Sequence, residues 1–179
     1  MSHRFLLSTL LGTALLFTVG AIHAGDLKVP AAPDALKVPD GEEVFLSVQA
    51  KGMQIYESQP KKDDATQYEW VFKAPEADLF DAQGKKVGHH YAGPTWKWSD
   101  GSKVVGEVKA KAPSTGASAV PLLLLAAKSH EGSGVLNQVT HIQRLETEGG
   151  QALAPAKDYA GRTLTVPYTA VYYFYRAKP

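Results

Sequence analysis

The chain has no cysteine. That absence excludes disulfide staples, thiolate metal ligands, thiol nucleophiles and thiol redox chemistry, so a folded domain must rest on its core and its backbone hydrogen bonds. A charge surplus is lacking as well, with 19 Lys and Arg against 18 Asp and Glu. Near-neutrality argues against a general nucleic-acid binder, which needs a basic surplus or stripe to neutralise phosphates. The runs Lys61-Lys62-Asp63-Asp64 and Lys103 to Lys111 are mixed or interrupted, and solvated turns and strand faces explain them. Missing too are Gly-rich phosphate loops of known spacing, a Gly-x-Ser-x-Gly nucleophile elbow, the alternating βα pattern of a nucleotide-binding sheet and any evident internal repeat.

Long apolar runs are equally scarce, and the one that stands out is at the start. Phe5 to Ile22 follows Met1-Ser2-His3-Arg4 and leads to Ala24-Gly25. A positive start, an apolar stretch and small residues at its end read as a secretory signal peptide cut after Ala24. Gly12, Thr13, Thr18 and Gly20 dilute the run as a membrane anchor, and no Cys follows it to carry a lipid. The expectation is an exported protein, periplasmic or secreted, with no membrane span once the signal is removed. Loss of Arg4 with residues 1–24 makes the remaining chain formally neutral. Residues 25–40, with Pro30, Pro33 and Pro39, read as an extended tether, and 41–179 as a single β domain.

Within that domain, Val44–Ala50 alternates as a strand, and Lys51-Gly52 is expected to turn it into a second strand, Met53–Tyr56. Tyr68, Trp70 and Phe72 share one face of the next strand, a face expected to be core. Ala74–Asp78 reads as a corner, Asp81–Lys86 as a hairpin turn, and Ser99-Asp100-Gly101-Ser102 as the strongest turn signal in the chain. Ala119–Lys128 is different in kind. Pro121 at a first helical position followed by four leucines predicts a short buried helix, with a buried strand as the alternative that periodicity leaves open. The last strand is expected in two pieces, Thr163–Val166 and Thr169–Arg176, with Pro167-Tyr168 at an edge or bulge. Many short strands and one inserted helix predict a mainly β fold, an antiparallel β-sandwich or β-barrel.

Several phrases together carry a family resemblance. They are Gln54-Ile55-Tyr56; Tyr68-Glu69-Trp70 with Ala74-Pro75-Glu76-Ala77; Val87-Gly88 with His90 to Trp96; Asp100-Gly101-Ser102; Ile142-Gln143-Arg144 with Thr147 and Gly149-Gly150; and Val166 to Ala170 with Tyr173-Phe174-Tyr175. On these the chain resembles the domain-of-unknown-function 3455 family of exported bacterial and fungal proteins. The resemblance implies no activity. It does imply a pairing: many members carry a Cys after the Ile-Tyr phrase and another after the Gly-Gly-x-x-Pro phrase, where this chain has Glu57 and Lys157 or a near neighbour. An ion pair between Glu57 and Lys157 is expected in place of a disulfide.

Candidate chemistry centres on His89–Trp98, where two imidazoles, three large aromatics and a Gly93-Pro94 corner crowd together. His90 with His89, His130 or His141 and a carboxylate such as Asp81, Asp100 or Glu107 offers ligand types for zinc, copper or iron. Adjacent strand residues point to opposite faces, however, and no His-x-His or Glu-x-x-His spacing occurs, so no metal site is assigned. Ser99, Ser102, Ser129 and Ser133 sit in turn-like settings, and no catalytic residue is assigned. Trp96 and Trp98 project from one strand face and Tyr91 can join them past the corner, a set that suits either a pocket or a core. Arg144 can clamp a carboxylate, or neutralise Glu146 or Glu107. The favoured reading is an exported, non-enzymatic β-domain that binds a small molecule, glycan or protein partner around His90, Tyr91, Trp96, Trp98 and Arg144. The alternative is a metal-assisted or acid–base enzyme centred on His90. The sequence names no cofactor and no oligomeric state.

Overall fold

A computed structural model describes residues 27–153 and 155–179. The signal peptide expected over residues 1–24 lies outside the described residues. Eight strands, β1 (Glu42–Pro60), β2 (Tyr68–Phe80), β3 (Lys86–Tyr91), β4 (Thr95–Trp98), β5 (Lys103–Ala112), β6 (Leu122–Glu131), β7 (His141–Gly149) and β8 (Thr163–Ala177), follow one another around a closed antiparallel barrel. The barrel closes where β1 pairs with β8 from Glu42–Ala177 to Glu57–Thr163. A barrel of about eight strands has an interior that side chains fill or that holds one small ligand.

The period-two pattern decides what fills it. On β1, Val48, Ala50, Gln54, Tyr56 and Ser58 are buried. From β8 come Tyr168, Ala170, Tyr172 and Phe174, and from β2 Ala77 and Leu79; all join one core cluster with Val48, Trp96, Val104, Leu125 and Ile142. One end of this core is plugged by a 3-10 turn, Val135–Gln138, through the fully buried Leu136. The β4–β5 turn holds the plug: Asp100 Oδ2 accepts from the Val135 N–H at 2.8 Å, and Ser102 Oγ accepts from the Leu136 N–H at 3.2 Å.

The run Ala119–Lys128 is not helical; Leu122–Glu131 forms strand β6. Its leucines are apolar on both sides because both sides are covered. Leu123 and Leu125 face the lumen cluster, while Leu124 packs in a second cluster on the outer face with Leu36, Ala112, Leu145, Tyr173 and Tyr175. Residues 27–41 supply the cover: Val29, Ala32 and Val38 pack there, and a 3-10 turn, Asp34–Leu36, buries Leu36 completely. Gln143 Nε2 donates to Leu36 O at 2.7 Å while its Oε1 accepts from the Tyr175 hydroxyl at 2.5 Å. Tyr172 and Phe174 point inward as Tyr173 and Tyr175 point outward, so β8 is packed on both faces.

Three expected breaks are continuous strand. β1 runs straight through Lys51-Gly52, because Gly52 marks a close approach rather than a turn: a Cβ there would fall 2.6 Å from Ala77 Cβ on β2. β2 runs through Pro75 with a bulge at Lys73, between the Tyr56–Phe72 and Ile55–Ala74 pairs. β8 runs through Pro167, which faces Met53. The aromatic face of Tyr68, Trp70 and Phe72 is not core either. This half of β2 rises toward the open end of the barrel, Trp70 packs on Tyr159 at 5.6 Å between ring centres, and Phe72 is 49% exposed. Glu57 pairs with Lys73 at 3.1 Å rather than with Lys157. The two segments do adjoin, through the Ser58 hydroxyl donating to Ala156 O at 2.6 Å.

Candidate functional site

At the end opposite the plug, the lumen opens into a cavity of about 470 Å³. The Ala92-Gly93-Pro94 turn between β3 and β4, the start of β6 and the bulged stretch of β2 form its mouth. Gly149 and Gly150, at φ 63° and 88°, fold the chain after β7 inward across this end. Val120 N–H donates to Gly149 O at 2.8 Å, Tyr56 OH donates to Gly150 O at 2.7 Å, and a Cβ on Gly150 would meet Val120, Tyr168 and Gln54 at 2.8–3.0 Å.

His90, Trp96 and Arg144 line this one cavity. His90 and Trp96 are paired across β3 and β4, and their rings stack at 4.4 Å and 17°. Tyr172 meets both edge-on, at 5.0 and 5.2 Å. Gly106 on β5 makes room for the indole, since a Cβ there would lie 2.9 Å from Trp96 Cζ3. His90 Nδ1–H donates to Thr95 O at 2.9 Å, which leaves Nε2 as the ring's acceptor. Burial, with the Arg144 and His89 charges adding to it, pushes the His90 pKa down to about 3, so the ring is neutral near pH 7.

Tyr91 and Trp98 stand apart from the cavity. Tyr91 follows His90 by one residue and so turns to the outer face, beside His89 at 6.1 Å between ring centres. Trp98 is half-buried nearer the plugged end, against the core. The other described histidines are committed elsewhere: His89 Nδ1 lies 3.0 Å from Asp78 Oδ1, His130 Nε2 2.9 Å from Val139 O, and His141 Nδ1 2.7 Å from Glu42 Oε1. Among the described residues no three His, Cys, Asp or Glu gather as a metal site.

Arg144 is 8% exposed and has no carboxylate partner among the described residues. Its Nε and Nη2 donate to Pro121 O at 3.1 and 2.8 Å. Neither Glu107 nor Glu146 neutralises it, because Glu107 pairs with Lys109 at 2.8 Å and Glu146 accepts from the outward Tyr173 hydroxyl at 2.6 Å. The Arg144 charge is felt throughout the lumen, countering the burial that raises the Tyr56, Tyr168 and Tyr172 pKa values. Lys73 and Lys111 also line the cavity, and among the described residues no Asp or Glu does. Gln54 Nε2, Trp96 Nε1 and the Tyr172 hydroxyl, all buried on lining residues, close no hydrogen bond of good geometry.

Gln54, Tyr56, Lys73, Lys111 and Tyr172 belong to the site and were not singled out for it from the sequence. A polar Gln54 in register with buried Ala50 and Tyr56 was the available signal, since a polar side chain at an inward strand position needs a partner. A family model described as "Protein of unknown function (DUF3455)" matches residues 39–176. The chain belongs to the DUF3455 family. The match takes in all eight barrel strands but for a residue at the end of β8, and every lining residue of the cavity, from Gln54 to Tyr172; it begins after the Leu36 turn. No curated protein and no solved structure matches the chain.

Proposed function

We propose that this DUF3455 protein is an exported, non-enzymatic carrier or receptor that holds a small organic molecule in the mouth of its barrel. The observation that carries the reading is the cavity itself, about 470 Å³ and closed at its far end, in which His90, Trp96 and Arg144 converge. That volume lies within the roughly 300–1,000 Å³ of small-molecule sites, which combine apolar walls with a few placed polar groups. Here Tyr56, Leu123, Leu125 and Val108 supply walls and Gln54, His90 and Arg144 the polar groups. A recess of this depth favours a small molecule over a protein surface or a long glycan. Acid–base catalysis by His90 is disfavoured, since a base whose conjugate acid has a pKa of about 3 takes up protons poorly near neutrality.

The test fills the lumen. Leu123→Trp places an indole in the cavity from β6 and is expected to abolish the fluorescence enhancement that an environment-sensitive naphthyl probe shows with the wild type. Equal enhancement by a folded Leu123→Trp variant would refute binding in the lumen.

A further inference from the structure

We infer that the ligand is an organic carboxylate, its apolar body in the lumen and its carboxylate on Arg144. The inference rests on the small-molecule reading above and specifies its chemistry. A guanidinium has five N–H donors in a rigid fork. In Arg144 the Nε and Nη2 edge is spent on Pro121 O. On its other side the guanidinium faces the neutral Tyr172 hydroxyl and, among the described residues, no carboxylate, and its Nη1–Nη2 edge is one that a carboxylate engages with two parallel bonds.

The surroundings demand an acceptor as well. Gln54 Nε2 and Trp96 Nε1 are donors on buried lining residues that close no hydrogen bond of good geometry, and the Tyr172 hydroxyl has Tyr168 and Arg144 beside it but no bond of good geometry either. Leaving such groups unpaired is costly, and a ligand that brings acceptors relieves several at once. A buried cation without a counter-charge is costlier still, so an entering anion gains more here than at a surface arginine. Lys111 adds positive charge at the mouth, where Lys73 is already paired with Glu57, and none of the described residues lining the cavity is Asp or Glu. The size of the cavity and the apolar side chains around it argue against inorganic phosphate as the intended occupant, since a hydrated dianion leaves those walls uncovered.

Matched probes separate this from the parent reading. Calorimetric titration of the wild type with 2-naphthoate and with its neutral isostere 2-naphthamide is expected to show the acid binding about tenfold or more tightly, as a charge-assisted bidentate pair requires. Arg144→Met is expected to remove that preference while keeping weak binding of the amide. Lys111→Gln, an exposed change that spares the fold, is expected to weaken the acid alone by roughly two- to threefold. Equal binding of acid and amide by the wild type overturns the carboxylate inference and leaves the small-molecule reading standing. Binding of neither probe, with Leu123→Trp indistinguishable from wild type, overturns both. Displacement of 2-naphthoate by roughly millimolar phosphate would mark a general anion site and also overturn the inference.

Discussion

Leu36→Ala tests whether the segment ahead of β1 is part of the folded barrel. The Leu36 side chain is 0% exposed, against Ala112, Leu124, Leu145, Tyr173 and Tyr175 on the outer face. Truncation removes three carbons, worth about 2.4 kcal/mol at about 0.8 kcal/mol per buried CH₂. The void they leave adds a further term, and leucine-to-alanine changes in packed sites cost roughly 2–5 kcal/mol, so about 3 kcal/mol is expected. The Gln143 bond to the Leu36 carbonyl survives, because it is made to the backbone. The variant is expected to lose about 3 kcal/mol in urea unfolding and to melt roughly 6–12 °C lower. Hydrogen exchange at the Leu36 and Lys37 amides, which bond to Pro33 O and Asp34 O, should rise in parallel. Ligand binding should not change, since the barrel wall separates Leu36 from the lumen. A loss below about 1 kcal/mol with fast exchange at both amides already in the wild type would refute docking of this segment.

Two further predictions concern the lumen. His90 is held far below its ordinary value, so its ring resonances should not titrate between about pH 5 and about pH 8, and a midpoint near 6.5 would refute its burial. A depressed folded-state pKa means that the unfolded chain takes the proton first. The stability owed to this group is therefore complete above about 6.5 and falls as pH drops from there toward about 3, by up to about 1.4 kcal/mol per pH unit. Gly150→Ala, at φ 88° with neighbours at 2.8–3.0 Å, should cost about 1–3 kcal/mol in chemical unfolding and reshape the cavity. Gly84→Ala, at φ 78° in open space, should cost less, and equal losses would refute the role assigned to crowding.

Much of the architecture could be read from residues alone. Zero cysteines and strands punctuated by Asp-Gly and Gly-Pro turns put the chain among β-sandwiches and barrels, and the quoted phrases identified its family. The direction of the Trp96 side chain, the Gly93-Pro94 turn and the separation of His89 from His90 follow from strand alternation, which is a local property. Leu122–Leu125 defeated the same logic, because an apolar run is a helix or a strand according to what covers it. The cover is the Leu36 segment on one side and the lumen on the other, and neither is local in sequence.

The site divides in the same way. Sequence by itself determined which side chains have the chemistry to bind: one histidine, a pair of tryptophans and an arginine able to grip a carboxylate. Tertiary structure decided which of them share a space. Closure of β1 on β8 turned one face of every strand into a single interior, bringing Arg144 of β7 into the cavity with His90 of β3 and Trp96 of β4 while leaving Tyr91 outside. It also decided that Glu107 pairs with Lys109 and Glu146 with Tyr173 rather than with the buried Arg144 guanidinium.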